Sequence, residues 1–281
     1  MYEASTLQQD VTQWGIAPAR RVSDRVLEET PVAMVYNGIS HAVMLASPID
    51  LEDFAVGFSI TEGIVESAAQ IHDVELEQGP EGIALQVRIA EGRMAALRLR
   101  RRALAGRTGC GLCGIESLAQ AVRPPKQVDS RGHLRFGALE AAFERLSQGQ
   151  ALHRETGAAH AAGFAAWDGE LQLLREDVGR HNALDKLVGA MALASQRSAG
   201  GFALVTSRAS FEMVHKTAAG GIGMLAALSA PTGLAIRAAQ VAGVTLIGFA
   251  GRQRRLIYSH PERIVEVTPS ENEQPQEARA L

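Results

Sequence analysis

The sequence predicts an α/β protein with a smaller, strand-rich α+β domain ahead of a larger α/β domain. Three observations predict it. Short alternating runs separated by turn residues fill the first hundred residues, and a polar, proline-bearing connector follows. Beyond the connector, apolar strand candidates alternate with helical stretches, the pattern of a sheet with helices on its faces.

Residues 1–21 show no apolar periodicity and read as a loose arm. "TPVAMVYNGISHAVMLASP" then reads as two strands around Asn37-Gly38, a dipeptide suited to a tight hairpin turn. In "SPIDLEDFAVGFSITEGIV", Pro48 and Asp50 open a helix whose apolar face is Leu51, Phe54, Ala55 and Phe58. Stretches at 73–78, 82–90 and 94–100 alternate like strands, with Gly79 and Gly92 marking turns. This smaller domain runs over 22–122.

The connector "RPPKQVDSRGH" reads as part of a linker over 123–136. "FGALEAAFERLSQG" is an amphipathic helix that stops at a glycine. Strand candidates at 161–167, 170–175, 202–206 and 244–249 are separated by helical stretches at 180–195, 210–219 and 232–242. The larger domain spans 137–267, and the polar stretch 268–281 reads as a disordered tail.

Composition narrows the function. Hydrophobic residues make up 46% of the chain and aromatics only 5%, so a core can form but must be mostly aliphatic. A net charge of −3 gives no general attraction for nucleic acid, so any anion site must be a local cluster. No basic stretch followed by an apolar run opens the chain, which reads as lacking a secretory signal. The uncharged run between Lys216 and Arg237 has the length of a membrane span but carries four glycines and Pro231. It reads as buried helix and strand, with no membrane role. A cytoplasmic protein keeps its thiols reduced, so a structural disulfide is not expected.

Cys110 and Cys113 are the chain's two cysteines, held in "TGCGLCG". A C-x-x-C pair serves as half of a zinc site, as a redox switch, or as a sulfur-carrying nucleophile. Zinc needs a full tetrahedral ligand set, and no H-x3–5-H pair completes one here. A redox switch wants the first cysteine at a helix start in a thioredoxin-like unit, whereas Gly109, Gly111 and Gly114 favour a loop. The third use suits the setting: nearby cations lower a thiol's pKa, and Arg98, Arg100, Arg101, Arg102 and Arg107 lie just upstream. Without the cysteines, the same arginines would read equally well as the solvated face of an edge strand.

Three further segments are dense in polar chemistry. In "LREDVGRHNALDKLVGA", Asp177 could cap a helix, and His181 and Asp185 lie one turn apart on one face. Spacing alone favours a capped, salt-bridged helix start there. "TSRASFEMVHK" reads as a strand end feeding a helix, with Ser207 or Ser210 at its cap. "GVTLIGFAGRQRR" is an apolar strand ending in a glycine and arginine loop, placed where α/β sheets bind ligands and suited to phosphate. A polar hairpin returning through 255–258 is the alternative.

"SPIDLEDFAVGFSITEGI", "TGCGLCG", "REDVGRHNALDK", "TSRASFEMVHK", "LIGFAGRQR" and "YSHPERI" occur in this order. Together they resemble the FdhD family of formate dehydrogenase accessory sulfurtransferases, over roughly residues 22 to 267. The resemblance implies a cytidine deaminase-like three-layer fold for the larger domain, and a homodimer. It implies a cytoplasmic sulfurtransferase that takes persulfide sulfur from a cysteine desulfurase and passes it to the molybdenum cofactor. That cofactor, molybdenum bis(molybdopterin guanine dinucleotide), is bound as substrate before insertion into formate dehydrogenase, with no permanently bound metal. By position, Cys110 is the persulfide site and Cys113 an assisting thiol. The cofactor-binding stretch falls on Phe249, Ala250, Gly251, Arg252, Gln253 and Arg254, with Arg252-Gln253 where the family has a Pro-Gly turn. A non-catalytic cofactor-binding chaperone and a thiol-disulfide oxidoreductase are the alternatives.

Overall fold

The computed structural model describes residues 5–15, 19–104, 124–251 and 255–265, with the backbone alone for 98–104 and 136. Cys110, Cys113, Arg252, Gln253, Arg254 and the expected tail lie outside the described residues.

The chain opens with a hairpin of β1 (Thr6–Gln13) and β2 (Arg20–Leu27), paired antiparallel from Thr6↔Leu27 to Gln13↔Arg20. This differs from the loose arm the sequence predicts. Both strands are largely exposed on both faces, so their pairing leaves no apolar alternation to read. Arg25 of β2 reaches Glu155 at 2.6 Å.

A four-stranded sheet follows, in the order β4–β3–β6–β5. Its strands are β3 (Thr30–Tyr36), β4 (Ile39–Ala46), β5 (Ile71–Gly79) and β6 (Gly82–Ile89). Asn37 and Gly38, both at positive φ, turn β3 into β4 as expected. Val32, Met34 and Tyr36 of β3 join Leu85, Val87 and Ile89 of β6 on the buried face. Helix α1 (Leu51–Thr61) covers that face with Phe54, Ala55 and Phe58, and α2 (Glu91–Leu104) adds Met94 and Leu97. The strand expected at 94–100 is therefore a helix. Leu97-Arg98-Leu99-Arg100 alternates over four residues, but the wider run of Ala, Leu, Met and Arg is strongly helix-forming, and Met94 and Leu97 are three apart.

The expected linker is packed rather than free. Val128 N–H donates to Ala242 O at 2.8 Å, Ser130 is buried, and β7 (Leu134–Arg135) pairs with β14 (Ile264–Val265). Helices α3 (Phe136–Gly149) and α4 (Ala151–Thr156) then lead into a six-stranded sheet of order β9–β8–β10–β11–β12–β13. These strands are β8 (His160–Ala166), β9 (Leu171–Asp177), β10 (Gly201–Val205), β11 (Met224–Ala227), β12 (Thr245–Gly248) and β13 (Leu256–Ser259). β10, β11 and β12 are mutually parallel, and β8 and β13 run against them.

Helices α5 (Arg180–Leu193), α6 (Phe211–Ala219) and α7 (Gly233–Ala242) pack Leu184, Leu187, Met213, Val214 and Ala239 on one face of this sheet. Helix α3 packs Leu139, Phe143 and Leu146 on the other. The result is three layers. The uncharged run between Lys216 and Arg237 divides among α6, β11 and α7. Among the described residues no helix is long and apolar enough to cross a membrane.

Helix α1 joins the two sheets. One side of it lies on the four-stranded sheet, and the other crosses α5 at a pair of glycines. A Cβ on Gly57 would sit 1.7 Å from the Asp185 carbonyl oxygen, and one on Gly189 would sit 1.8 Å from that of Asp53. Both collisions are with backbone, which cannot swing aside. Gly57→Ala should therefore cost about 3 kcal/mol or more. Urea unfolding should show a lower midpoint at an unchanged slope, and a variant as stable as the parent would contradict so close a crossing.

Candidate functional site

Because β9, β10, β11 and β12 run in one direction, their carboxyl ends share one edge of the sheet. The chain leaves β9 at Asp177, β10 at Val205, β11 at Ala227 and β12 at Gly248, and β8 enters the same edge at His160. Open α/β sheets bind ligands at such an edge, where loops leave the strands and helices begin.

A cavity of about 830 Å³ opens there, between α3, α4 and the sheet edge. Phe143, Leu146 and Leu228 give it apolar surface, and Gln150, His153, His160 and Thr206 give it polar groups. The volume suits a ligand of nucleotide size. Of the six candidate cofactor-binding residues, Ala250 and Gly251 form part of its wall. Phe249 stands just before them at φ 55°, a left-handed conformation rare for a bulky residue. That turn lets Ala250 N–H donate to Ala227 O at 3.0 Å, which carries the chain across the end of β11. Leu256 and Ile257 of β13 pair back on Gly248 and Ile247, so the loop is also the hairpin considered as its alternative. Arg255, which ends it, is ion-paired to Glu140 and donates to Ala250 O at 3.0 Å.

The segment 176–186 is a junction. Lys186 and Asp177 are fully buried and meet at 2.6 Å, and the Lys186 ammonium also donates to Ser47 O at 2.9 Å. Asp177 Oδ2 accepts from Ser47 N, and Asp177 Oδ1 accepts from Gly179 N and Asn182 Nδ2. The N-cap position of α5 belongs to Gly179, so Asp177 braces the helix start from two residues upstream. His181 and Asp185 do share one face, and it meets α6: His181 Nε2 lies 2.9 Å from Glu212 Oε2, and Lys216 lies 2.9 Å from Asp185 Oδ2. Lys216 also donates to Thr61 Oγ1 and Glu62 Oε1. Burial works against its charge, but Asp185 and Glu62 outweigh burial and hold its pKa above the ordinary lysine value. Ser210 takes the cap position of α6, yet its hydroxyl makes no capping bond.

Sequence reasoning missed Gln150, His153, His160 and Thr206. They come from three separate segments, and no spacing links them. The detectable sign was topological: a strand running against β10 must begin beside its carboxyl end.

A model of the FdhD/NarQ family matches residues 27–265. The chain belongs to the FdhD/NarQ family. Similar family members include the sulfur carrier protein FdhD of Cupriavidus necator, 53% identical over 90% of this chain and 88% of that one. The sulfur carrier protein FdhD of Bordetella petrii is 56% identical over 89% of this chain and 90% of its own. A crystal structure described as a formate dehydrogenase accessory protein from Desulfotalea psychrophila superposes with a TM-score of 0.73. At 24% identity over 93% of this chain and all of that one, it shows the shared fold.

His160 reports on the charge at the cavity. Burial is the main cause pushing its imidazole below the ordinary value, and the nearby charges of Arg180, His153 and His181 push it the same way against Asp177. In the unfolded chain His160 takes up its proton at the higher, ordinary pH, near 6.5. Its contribution to stability is thus complete above about pH 6.5 and is lost as pH falls through the lower folded value. Unfolding measured from pH 7.5 down to 5.5 should show a shallower acid loss in His160→Asn than in the parent. An NMR titration placing His160 at or above the ordinary value would contradict this.

Proposed function

We propose that this chain is a sulfur carrier that takes persulfide sulfur from a cysteine desulfurase on Cys110. It passes that sulfur to molybdenum bis(molybdopterin guanine dinucleotide) before the cofactor enters formate dehydrogenase. One observation carries the reading: relatives more than half identical over nine-tenths of the chain are sulfur carrier proteins, and this chain has only Cys110 and Cys113 to hold a persulfide. A desulfurase supplies such sulfur in the cytoplasm, where thiols stay reduced.

The chemistry gives Cys110 the sulfur and Cys113 an assisting part. The Cys110 thiolate attacks the outer sulfur of the donor persulfide, the donor S–S bond breaks, and the donor cysteine leaves as a thiolate. The outer sulfur of the new persulfide is formally zero-valent. Cys113, attacking Cys110 Sγ, closes a disulfide and releases it as sulfide, which exchanges for an oxygen ligand of molybdenum with loss of water. Cellular thiols then reopen the disulfide.

The cofactor's guanine dinucleotide end occupies the cavity at the carboxyl edge, with its phosphates toward the loop that continues from Ala250 and Gly251 into Arg252, Gln253 and Arg254. The cavity's size and its place beyond the parallel strands support this. The order β9–β8–β10–β11–β12, with β8 antiparallel and a helical layer on each face, supports the cytidine deaminase-like reading of 137–267. The separate core of the four-stranded sheet supports 22–122 as the smaller domain, and the family resemblance is the ground for taking the working unit as a homodimer.

Mass spectrometry after incubation with a desulfurase and cysteine should find one added sulfur atom on Cys110, absent in Cys110→Ala. Cys113→Ala should still load sulfur but release it poorly. No adduct favours the cofactor chaperone, and loss of two hydrogens without added sulfur favours the thiol-disulfide oxidoreductase.

GDP should bind the protein with an affinity that falls as salt rises. Arg252→Ala and Arg254→Ala should each weaken binding about tenfold or more, the scale of a charge-assisted contact to phosphate. Calorimetry showing unchanged affinity in the double variant would remove the cofactor from this loop.

A further inference from the structure

We propose that a second copy of this chain docks on the outer face of the β1–β2 ribbon, ribbon against ribbon and reversed end to end. Trp14 of each copy then enters the small cavity at the base of the other's ribbon. The proposal names the surface of the homodimer in the reading above and rests on that reading for nothing else.

The first observation is an aliphatic face turned away from the body. Leu7 pairs directly with Val26 and Val11 with Val22, and residues directly opposite share a face. Each strand carries its two aliphatics four residues apart, with Gln9 or Asp24 between, so only the pairing gathers the four together. Gln8 and Arg25 pair on the other face, where Arg25 meets Glu155 of α4 at 2.6 Å. The ribbon thus gives its polar face to its own chain and its aliphatic face to solvent. Leu7 is 48% exposed, and Trp14, just past the end of β1 at the ribbon's tip, is 89% exposed. A two-stranded ribbon is marginal by itself, and an apolar surface left open marks a place of association.

The second observation is the cavity at the ribbon's base, about 330 Å³ in volume. Leu7, Pro31 and Pro80 give it apolar wall, and Glu28, Glu29 and Glu81 give it carboxylates. Because Leu7 belongs to both, the cavity continues the aliphatic face. An indole suits such a place, since its ring wants apolar wall and its N–H wants an acceptor.

The third observation decides the occupant. Arg20 lies opposite Gln13 at the tip, and its Nε donates to Gln13 Oε1 at 2.9 Å. Along the same face β2 then reads Val22, Asp24 and Val26, so the tip is positive and the base negative. Neither Arg20 nor the three glutamates form an ion pair among the described residues. Two such ribbons facing each other in opposite directions bring each tip to the other's base. Unlike charges meet twice, and the contact is self-complementary, as a twofold dimer requires. The same direction would set like charges together.

Sedimentation velocity of the full chain across a concentration series tests this. The parent should pass from monomer to dimer, and Trp14→Ala should raise the dissociation constant about tenfold or more, as loss of a buried tryptophan anchor does. Arg20→Glu and Glu81→Arg should each weaken the dimer, and the two together should restore it. Trp14, Arg20 and Glu81 are exposed, so these variants should melt like their parent. A dimer indifferent to Trp14→Ala, or charge variants that fail to rescue one another, overturns the surface and leaves the homodimer standing. A chain that stays monomeric throughout removes both. Sulfur loading on Cys110, followed by mass in the same samples, tests the carrier reading independently of either.

Discussion

The crossing of α1 and α5 is the contact on which the rest of the molecule depends. At Gly57 and Gly189 the two helices approach so closely that only hydrogen atoms fit between their backbones. α1 faces the four-stranded sheet with its aromatic side and α5 with its glycine side, so one helix serves two cores. A slip of either helix would drive a carbonyl into a Cα. The register between the two sheets is thereby fixed.

Polar groups complete that lock. Lys186 and Asp177 are wholly buried, and ion pairs of this kind repay their desolvation only when every remaining donor and acceptor is met. Ser47 meets part of that demand, supplying a carbonyl to the lysine and an amide to the aspartate. A second set, Asp185, Lys216, Thr61 and Glu62, ties α1, α5 and α6 together. Each ring lies over its own cation, Phe54 at 5.8 Å from Lys186 and Phe58 at 5.6 Å from Lys216. Such a junction adds less to net stability than to the uniqueness of one arrangement. That arrangement sets the start of α5, and with it the carboxyl edge where the cavity opens.

Much of the fold was legible where an element is bounded by turns or buries one face. Asn37-Gly38 announced its hairpin, and β8, β10 and β12, buried on both faces, read as short apolar runs, whereas β11 lies inside the uncharged run after Lys216 and had no separate sign. β1 and β2 bury little, so their pairing left no apolar pattern. α2 was misread because a four-residue alternation of leucine and arginine imitates a strand inside a helix-forming run. The pairing of α5 with α6 had a sign in the sequence. His181 and Asp185 are four apart, as are Glu212 and Lys216, and two matched steps of opposite charge fit two facing helices. The cavity had no local sign, because α3, α4, β8 and three strand ends meet only in the folded chain.

The central claim is that one chain both carries sulfur on Cys110 and presents it to a cofactor seated at the carboxyl edge. The most direct test is a single-turnover transfer with radiolabelled sulfur. Protein is loaded from a desulfurase, separated from it, and mixed with molybdenum bis(molybdopterin guanine dinucleotide). Label should leave the protein and appear on the cofactor, and transfer should slow sharply when Arg252 and Arg254 are both alanine. Label that stays on the protein in the presence of bound cofactor, or cofactor activated without label, would contradict the account.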